Sequence, residues 1–183
     1  MEKVTENPTV QIAHLIETER LLLFPLTYEQ LLKYVKNDFS LEKALDLNKT
    51  FRTISADLLE ALKLGILPNV VDKRKNYLYH TLWTMVSKTE NRMVGDLCFK
   101  GKPNAAGEIE IGYGTYDEDQ GKGYMTEAVG AMIQWATTQP KVKFITAETE
   151  KVNVASFKVL QKNGFKKEGE MNNLYAWRRE VGE

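Results

Sequence analysis

The chain has 183 residues, 43% of them hydrophobic and 27% charged, with 25 basic and 25 acidic side chains. That length predicts one domain spanning 1–183, large enough to bury roughly 70% of its unfolded surface, and the charge balance excludes a global field for nucleic acid or anionic lipid. A lone cysteine, Cys98, excludes an internal disulfide, and no charged-then-apolar leader or 18-residue apolar run occurs, so a cytoplasmic location with no membrane partner is expected.

Residues 1–14 are polar, include Pro8, and are expected to be poorly ordered. Leu21 to Phe24 form a short strand candidate that Pro25 ends. Thr27 then caps a helix carrying Leu31, Leu32, Tyr34 and Val35 at helical spacing. Residues 41–47 predict a short helix. Ser55, with Asp57 in the first turn, starts another over Leu58, Leu59, Leu62 and Leu64, expected to stop near Gly65 and Pro68. From Tyr77 the period becomes two. Strands are predicted over 79–87, 93–100 and 108–116, joined by turns at 88–92 and 102–107. A helix over 126–139 shows the stripe Val129, Met132, Ile133, Ala136 and ends at Pro140. A strand over 142–147 follows, then a helix over 153–163 that Asn153 can cap and Gly164 ends. Strands at 165–169 and 174–179 close the chain as a hairpin around Asn172 and Asn173.

Residues 112–128, GYGTYDEDQGKGYMTEA, occupy the centre of this pattern. A strand leads into an acidic loop, and the helical pattern begins at about Gly123. The first turn of a helix has N–H groups without intrahelical partners and partial positive charge from the dipole, and glycines let a ligand approach the backbone closely. Together these make an anion site, most often for phosphate. The two best-known phosphate loops do not fit. No Gly precedes Gly121-Lys122 at Walker A spacing, and Thr126 stands where a dinucleotide fingerprint needs Gly or Ala.

Gln120-Gly121-Lys122-Gly123-Tyr124-Met125 resembles the acyl-CoA pyrophosphate loop of the GNAT superfamily of N-acetyltransferases, Gln/Arg-x-x-Gly-x-Gly/Ala, and departs from it at Met125. The continuation Gly-Lys-Gly-Tyr-x-Thr-Glu-Ala, 121–128, is similar to the branch containing the ribosomal-protein N-terminal acetyltransferases. The opening Glu-Thr-Glu-Arg-Leu-x-Leu-x-Pro-Leu resembles the same branch, and Asn153 and Ser156 followed by Gly164-Phe165 resemble the second cofactor-contacting helix of the superfamily. The resemblance covers roughly Thr18 onwards. It implies an α+β fold, a largely antiparallel sheet of six to seven strands flanked by helices, with a splayed strand pair at the acyl-CoA site. It also implies acetyl-CoA as co-substrate, an amine acceptor (a small molecule or a protein N-terminus), no metal, and a monomer or homodimer. The implied cofactor contacts are Tyr113, Gly114 and Thr115 on the strand, Gln120, Gly121, Lys122, Gly123, Tyr124, Met125 and Thr126 at the loop, and Asn153, Ser156 and Lys158 on the later helix. The 3′-phosphate would be drawn to Lys122, Lys158 or Lys162.

Acetyl transfer to an amine needs a base for the nucleophile and donors for the developing charge and the leaving thiolate. Glu110 lies on the strand entering the loop, near where the family often places a general-base glutamate, with Glu108 on the same face as substitute. Either could be a solvated surface acid. Many family members carry a tyrosine seven residues after the helix-opening asparagine; this chain has Leu160 there, so Ser156 is the candidate hydrogen-bond donor to the sulfur. Cys98 is expected to be a buried structural thiol, and His80 to be core or substrate-facing and not catalytic. The alternative reading is an acyl-CoA-binding module with weak or no catalysis. Leu160 and Met125 favour that alternative, whereas Glu110, Ser156 and Asn153 favour an enzyme.

Overall fold

Alternating apolar residues build one eight-stranded sheet, and each face collects its own core. The computed structural model describes residues 14–182, so the expectation for residues 1–13 lies outside it. The strands are β1 (Ile16–Glu17), β2 (Leu21–Pro25), β3 (Leu82–Ser87), β4 (Arg92–Phe99), β5 (Glu108–Thr115), β6 (Phe144–Glu150), β7 (Lys166–Met171) and β8 (Leu174–Glu180). Their order is β1-β2-β3-β4-β5-β6-β8-β7, and every pairing is antiparallel except β5 with β6. The strand beyond the expected seven is β1, two residues paired with Leu22 and Leu23 and too short to show a period.

On one face Leu21, Leu23, Trp83, Met85, Ile109 and Ile111 pack against Val129, Met132 and Ile133 of α5 (Tyr124–Thr137) and Leu160 of α6 (Val154–Lys162). Alternate residues of the same strands, Phe24, Leu82 and Val86, meet Leu31 and Tyr34 of α1 (Tyr28–Lys36), Leu41 of α2 (Ser40–Ala44) and Leu62. Thr27 caps α1 in a full capping box with Gln30, as its spacing predicts.

Two expectations are corrected. The helix begun by Ser55, α3 (Ala56–Ala61), does not stop at Gly65; it widens through a π-helical turn, Leu62–Ile66, into α4 (Leu67–Val71). Pro68 falls in the first turn of α4, where a missing N–H costs little. The strand expected from residue 79 starts at Leu82, because Asn76 caps a 3₁₀ turn, Tyr77–Tyr79, and Trp83 Nε1 donates to Leu78 O at 3.1 Å.

The parallel pairing of β5 and β6 is short. Glu108, Ile109 and Glu110 face Phe144, Ile145 and Thr146; beyond them β5 stays with β4 while β6 continues with β8. The strands part and leave a wedge in the sheet. Gly95 on β4 lets β5 lie close at the wedge, since a Cβ there would stand 2.7 Å from Gly114 O. Gly95→Ala is expected to push β5 aside and destabilise the fold by about 1–3 kcal/mol, the usual cost of overpacking, measured by urea unfolding. An unchanged midpoint would mean the strand yields freely.

Candidate active site

The glycine loop owes its shape to residues far away in sequence. Gly121 and Gly123 take φ of 76° and 80°, a left-handed geometry that side chains resist. Gly123 starts α5 without a side-chain cap, and among the described residues the N–H groups of Gly121 through Thr126 have no protein acceptor. Arg20, in the bend just before β2, holds the loop from one side. Its backbone N–H and Nε donate to Glu127 at 2.8 and 2.7 Å, and Nη1 donates to Lys122 O at 2.9 Å. Thr18 Oγ1 adds a 2.6 Å bond to the same carboxylate. On the other side Arg92 clasps Asp119 through two 2.7 Å bonds, and Lys122 Nζ donates to Asp119 Oδ1 at 2.9 Å.

A cleft of about 610 Å³ opens over these free N–H groups. It is lined by Tyr113, Gly114 and Thr115 of β5, by Gln120, Gly121, Gly123, Tyr124, Met125 and Thr126, and by Asn153, Ser156, Lys158 and Lys162. Asn153 Oδ1 accepts from Ser156 N at 3.0 Å, which leaves its NH₂ group for the cleft. Ser156 Oγ donates to the Tyr113 hydroxyl at 3.2 Å, and that hydroxyl donates to Ser156 O at 2.9 Å. Burial pushes the Tyr113 phenol up to about 12, partly offset by the Ser156 bond, so it stays protonated at neutral pH. Leu160 is fully buried in the core.

A second cavity, about 800 Å³, shares Tyr113, Gly114 and Thr115 with the first and lies on the α1 side of the sheet. Its lining includes Tyr34, Asp96, Cys98, Lys100, Gly112 and Tyr116. Asp96 Oδ2 accepts from the Tyr34 and Tyr116 hydroxyls at 2.7 and 2.6 Å. Burial raises the Asp96 carboxyl above its ordinary range, against the lowering effect of the two phenols. Burial also pushes the Cys98 thiol up to about 11, which makes it a poor nucleophile at neutral pH.

Most of the residues singled out from the sequence therefore meet in one cleft. Lys122 does not line it; its ammonium is turned to Asp119. Glu110 lines neither cavity. It is ion-paired with Lys100, whose chain passes 3.7 Å from where a Gly112 Cβ would stand. Glu108 is held by Arg178 at 3.1 Å. His80 lies in neither cavity. Sequence reasoning missed the Asp96, Tyr34 and Tyr116 cluster. Its one signal was an acid among the apolar residues of β4.

A sheet with one splayed parallel pair, a capless glycine loop at the splay and two clefts meeting there define an acyl-group-transfer scaffold. The sequence profile of the acetyltransferase (GNAT) domain matches residues 20–166. The chain belongs to this family and is an acyltransferase; enzymes of the family use acetyl-CoA. It is 32% identical over 151 residues to the uncharacterized N-acetyltransferase YjdG of Bacillus subtilis, covering 82% of this chain and 89% of YjdG. A probable N-acetyltransferase of the same organism, YjcK, is 33% identical over 96 residues, 52% of each chain. In fold the chain is similar to a ribosomal-protein-S5-alanine acetyltransferase from Vibrio fischeri, with TM-score 0.68, 22% identity, and 92% and 97% of the two chains covered. It is also similar to RimL, a ribosomal L7/L12 α-N-protein acetyltransferase in complex with coenzyme A, with TM-score 0.64, 17% identity, and 92% and 98% covered. Among the described residues no cluster of three or more His, Cys, Asp or Glu could hold a metal ion, and no helix is long and apolar enough to cross a membrane.

The clamp makes a pH prediction. Burial raises the Glu127 carboxyl, but the bonds from Thr18 and Arg20 outweigh it, so its pKa lies below the ordinary value. A depressed carboxyl contributes stability that is present above its unfolded pKa and lost as pH falls through the folded one. Glu127→Gln should therefore lower stability at pH 7 by on the order of 1 kcal/mol, allowing for screening at the exposed Arg20. In thermal unfolding from pH 7 to pH 3 the gap between the two proteins should close. A gap constant with pH would refute the charge-based clamp.

Proposed function

We propose that this chain transfers an acetyl group from acetyl-CoA to the primary amine of a small molecule or a protein N-terminus. The observation carrying this reading is the meeting of two clefts at Tyr113, Gly114 and Thr115, one floored by free backbone N–H groups and the other by carboxyl and phenol groups. The pyrophosphate of acetyl-CoA would sit on the N–H groups of Gly121 to Thr126, where the helix dipole favours an anion. Gln120, Tyr124 and Met125 flank it, and Lys158, with Lys162, would meet the 3′-phosphate. The pantetheine amides would pair with the Asn153 NH₂ group and run along Tyr113 to Thr115, bringing the thioester into the wedge beside Ser156. Lys122 acts through the loop's shape, since its charge is spent on Asp119.

The amine arrives from the larger cavity. Its nitrogen forms a bond to the thioester carbon as the carbon–sulfur bond breaks, giving an amide, and the sulfur leaves as a thiolate that takes a proton from water. Glu110 takes the amine proton through water at the Lys100 side of the cavity. Ser156 Oγ, its hydroxyl oriented by Tyr113, can turn to the departing sulfur as a hydrogen-bond donor.

Glu110→Gln keeps shape and removes the base. Its kcat/KM at neutral pH should fall about 10²-fold, with the deficit shrinking as rising pH frees the amine and with acetyl-CoA affinity unchanged by calorimetry. Undiminished turnover across that range would remove Glu110 from the mechanism.

A further inference from the structure

The acceptor side of the wedge holds an amine of its own. Lys100 is the one lysine among the residues lining the larger cavity. The other lining cation, Arg52, is buried, and its Nη1 lies 2.6 Å from Glu42 Oε1. The lysines of the smaller cleft, Lys158 and Lys162, belong to α6 on the opposite face of the sheet.

Lys100 follows the last residue of β4, and its backbone N–H donates to Glu110 O at 2.9 Å, which continues the β4–β5 ladder by one position. Residues directly opposite in such a ladder share a face, so the two side chains meet and form an ion pair. Glycine at 112 gives the lysine stem room along β5. Lys100 Cε stands 3.7 Å from where a Gly112 Cβ would be, and Gly112 leads directly into Tyr113 and Gly114 at the wedge. The side chain is 52% exposed and its four-carbon stem is flexible, so the amine can swing from Glu110 towards the wedge. A primary amine, the carboxylate that would deprotonate it and the place where the thioester would lie are thus side by side.

We infer that Lys100 is a self-acetylation site: with acetyl-CoA bound and no other amine in the cavity, the protein transfers the acetyl group to its own Lys100 Nζ. The inference rests on the acetyl-transfer reading above. Nζ starts as an ammonium with three protons and ends as an amide N–H, so two protons leave it. Glu110 takes the first and passes it to solvent. The electron pair so freed forms a bond to the thioester carbon, and the carbon–sulfur bond breaks. The second proton is lost to water while the departing thiolate takes one up, giving the thiol of coenzyme A. Acetyl-lysine is neutral, so the modification removes the Lys100–Glu110 ion pair. An amine tethered beside the thioester needs no bimolecular encounter, which sets it apart from lysines elsewhere on the surface.

The test incubates the wild-type protein with acetyl-CoA at neutral pH, without an added amine, and follows acetylation by peptide mass spectrometry. Lys102, exposed two residues further on and lining neither cavity, reports chemical acetylation by the free thioester. Lys100 should gain its acetyl group at least about tenfold faster than Lys102, with a rate constant independent of protein concentration. Excess coenzyme A, competing for the cofactor cleft, should suppress labelling at Lys100 and leave Lys102 unaffected. In Glu110→Gln the Lys100 rate should fall by about tenfold or more; an unchanged rate would overturn the part given to Glu110. Equal rates at the two lysines, a Lys100 rate that rises with protein concentration, or labelling indifferent to coenzyme A would overturn the inference. If acetyl-CoA binds in calorimetry and Lys100 is labelled no faster than Lys102, self-acetylation alone fails. If acetyl-CoA does not bind at all, the acetyl-transfer reading fails and this inference falls with it.

Discussion

The bond from Arg20 to the Lys122 carbonyl is the constraint on which the site depends. Two left-handed glycines and a helix start without a cap are locally unfavourable, and nothing within the loop offsets them. Arg20 fixes the loop from one side, reading both the Lys122 carbonyl and the Glu127 carboxylate of the first helical turn. Arg92 fixes it from the other through Asp119, whose carboxylate is fully buried. With Arg20, just before β2, and Arg92, at the start of β4, carrying the strain, the N–H groups of the loop can stay unpaired and face the cleft. A cap residue would have stabilised the helix and closed the anion site.

The wedge supplies the second half of the site by the same economy. Three residue pairs join β5 to β6, and the strands then follow different neighbours. Alternation along β5 sends Tyr113 to the α6 side, where it meets Ser156, and leaves Gly112 and Gly114 open towards the other cavity. One strand thereby serves two pockets on opposite faces of the sheet, and the reacting groups meet where the sheet has a gap.

How much of this was legible in the sequence follows from how local each feature is. Gln120, Gly123, Asn153 and Ser156 sit in short segments whose spacing alone fixes a loop or a helix start, and the structure brings them to one cleft. The paired occurrence of Glu-Thr-Glu-Arg near the start and Thr-Glu-Ala after the loop was visible as two separate resemblances. The fold explains both at once, since Thr18 and Arg20 bind Glu127. Features made by distant pairs were not legible. Tyr34 reads as one member of an apolar helical stripe, and only the packing of α1 on β4 turns its hydroxyl to Asp96. Lys122 reads as a phosphate ligand until Asp119, three residues away and buried by Arg92, claims it. Gly65 and Pro68 read as a stop signal because helix rules assume a single α-helix, whereas a π turn absorbs Gly65 and the first turn of α4 takes Pro68.

The central claim is that the backbone N–H groups of residues 121–126 are the anion site of an acetyl-CoA-dependent enzyme. Amide hydrogen exchange across residues 121–126, with and without coenzyme A, tests it most directly. These amides have no acceptor in the free protein and should exchange fast. Coenzyme A should slow them by an order of magnitude or more while the amides of β1 and β2 stay unchanged. Saturating coenzyme A that leaves residues 121–126 exchanging at the free rate would contradict the account.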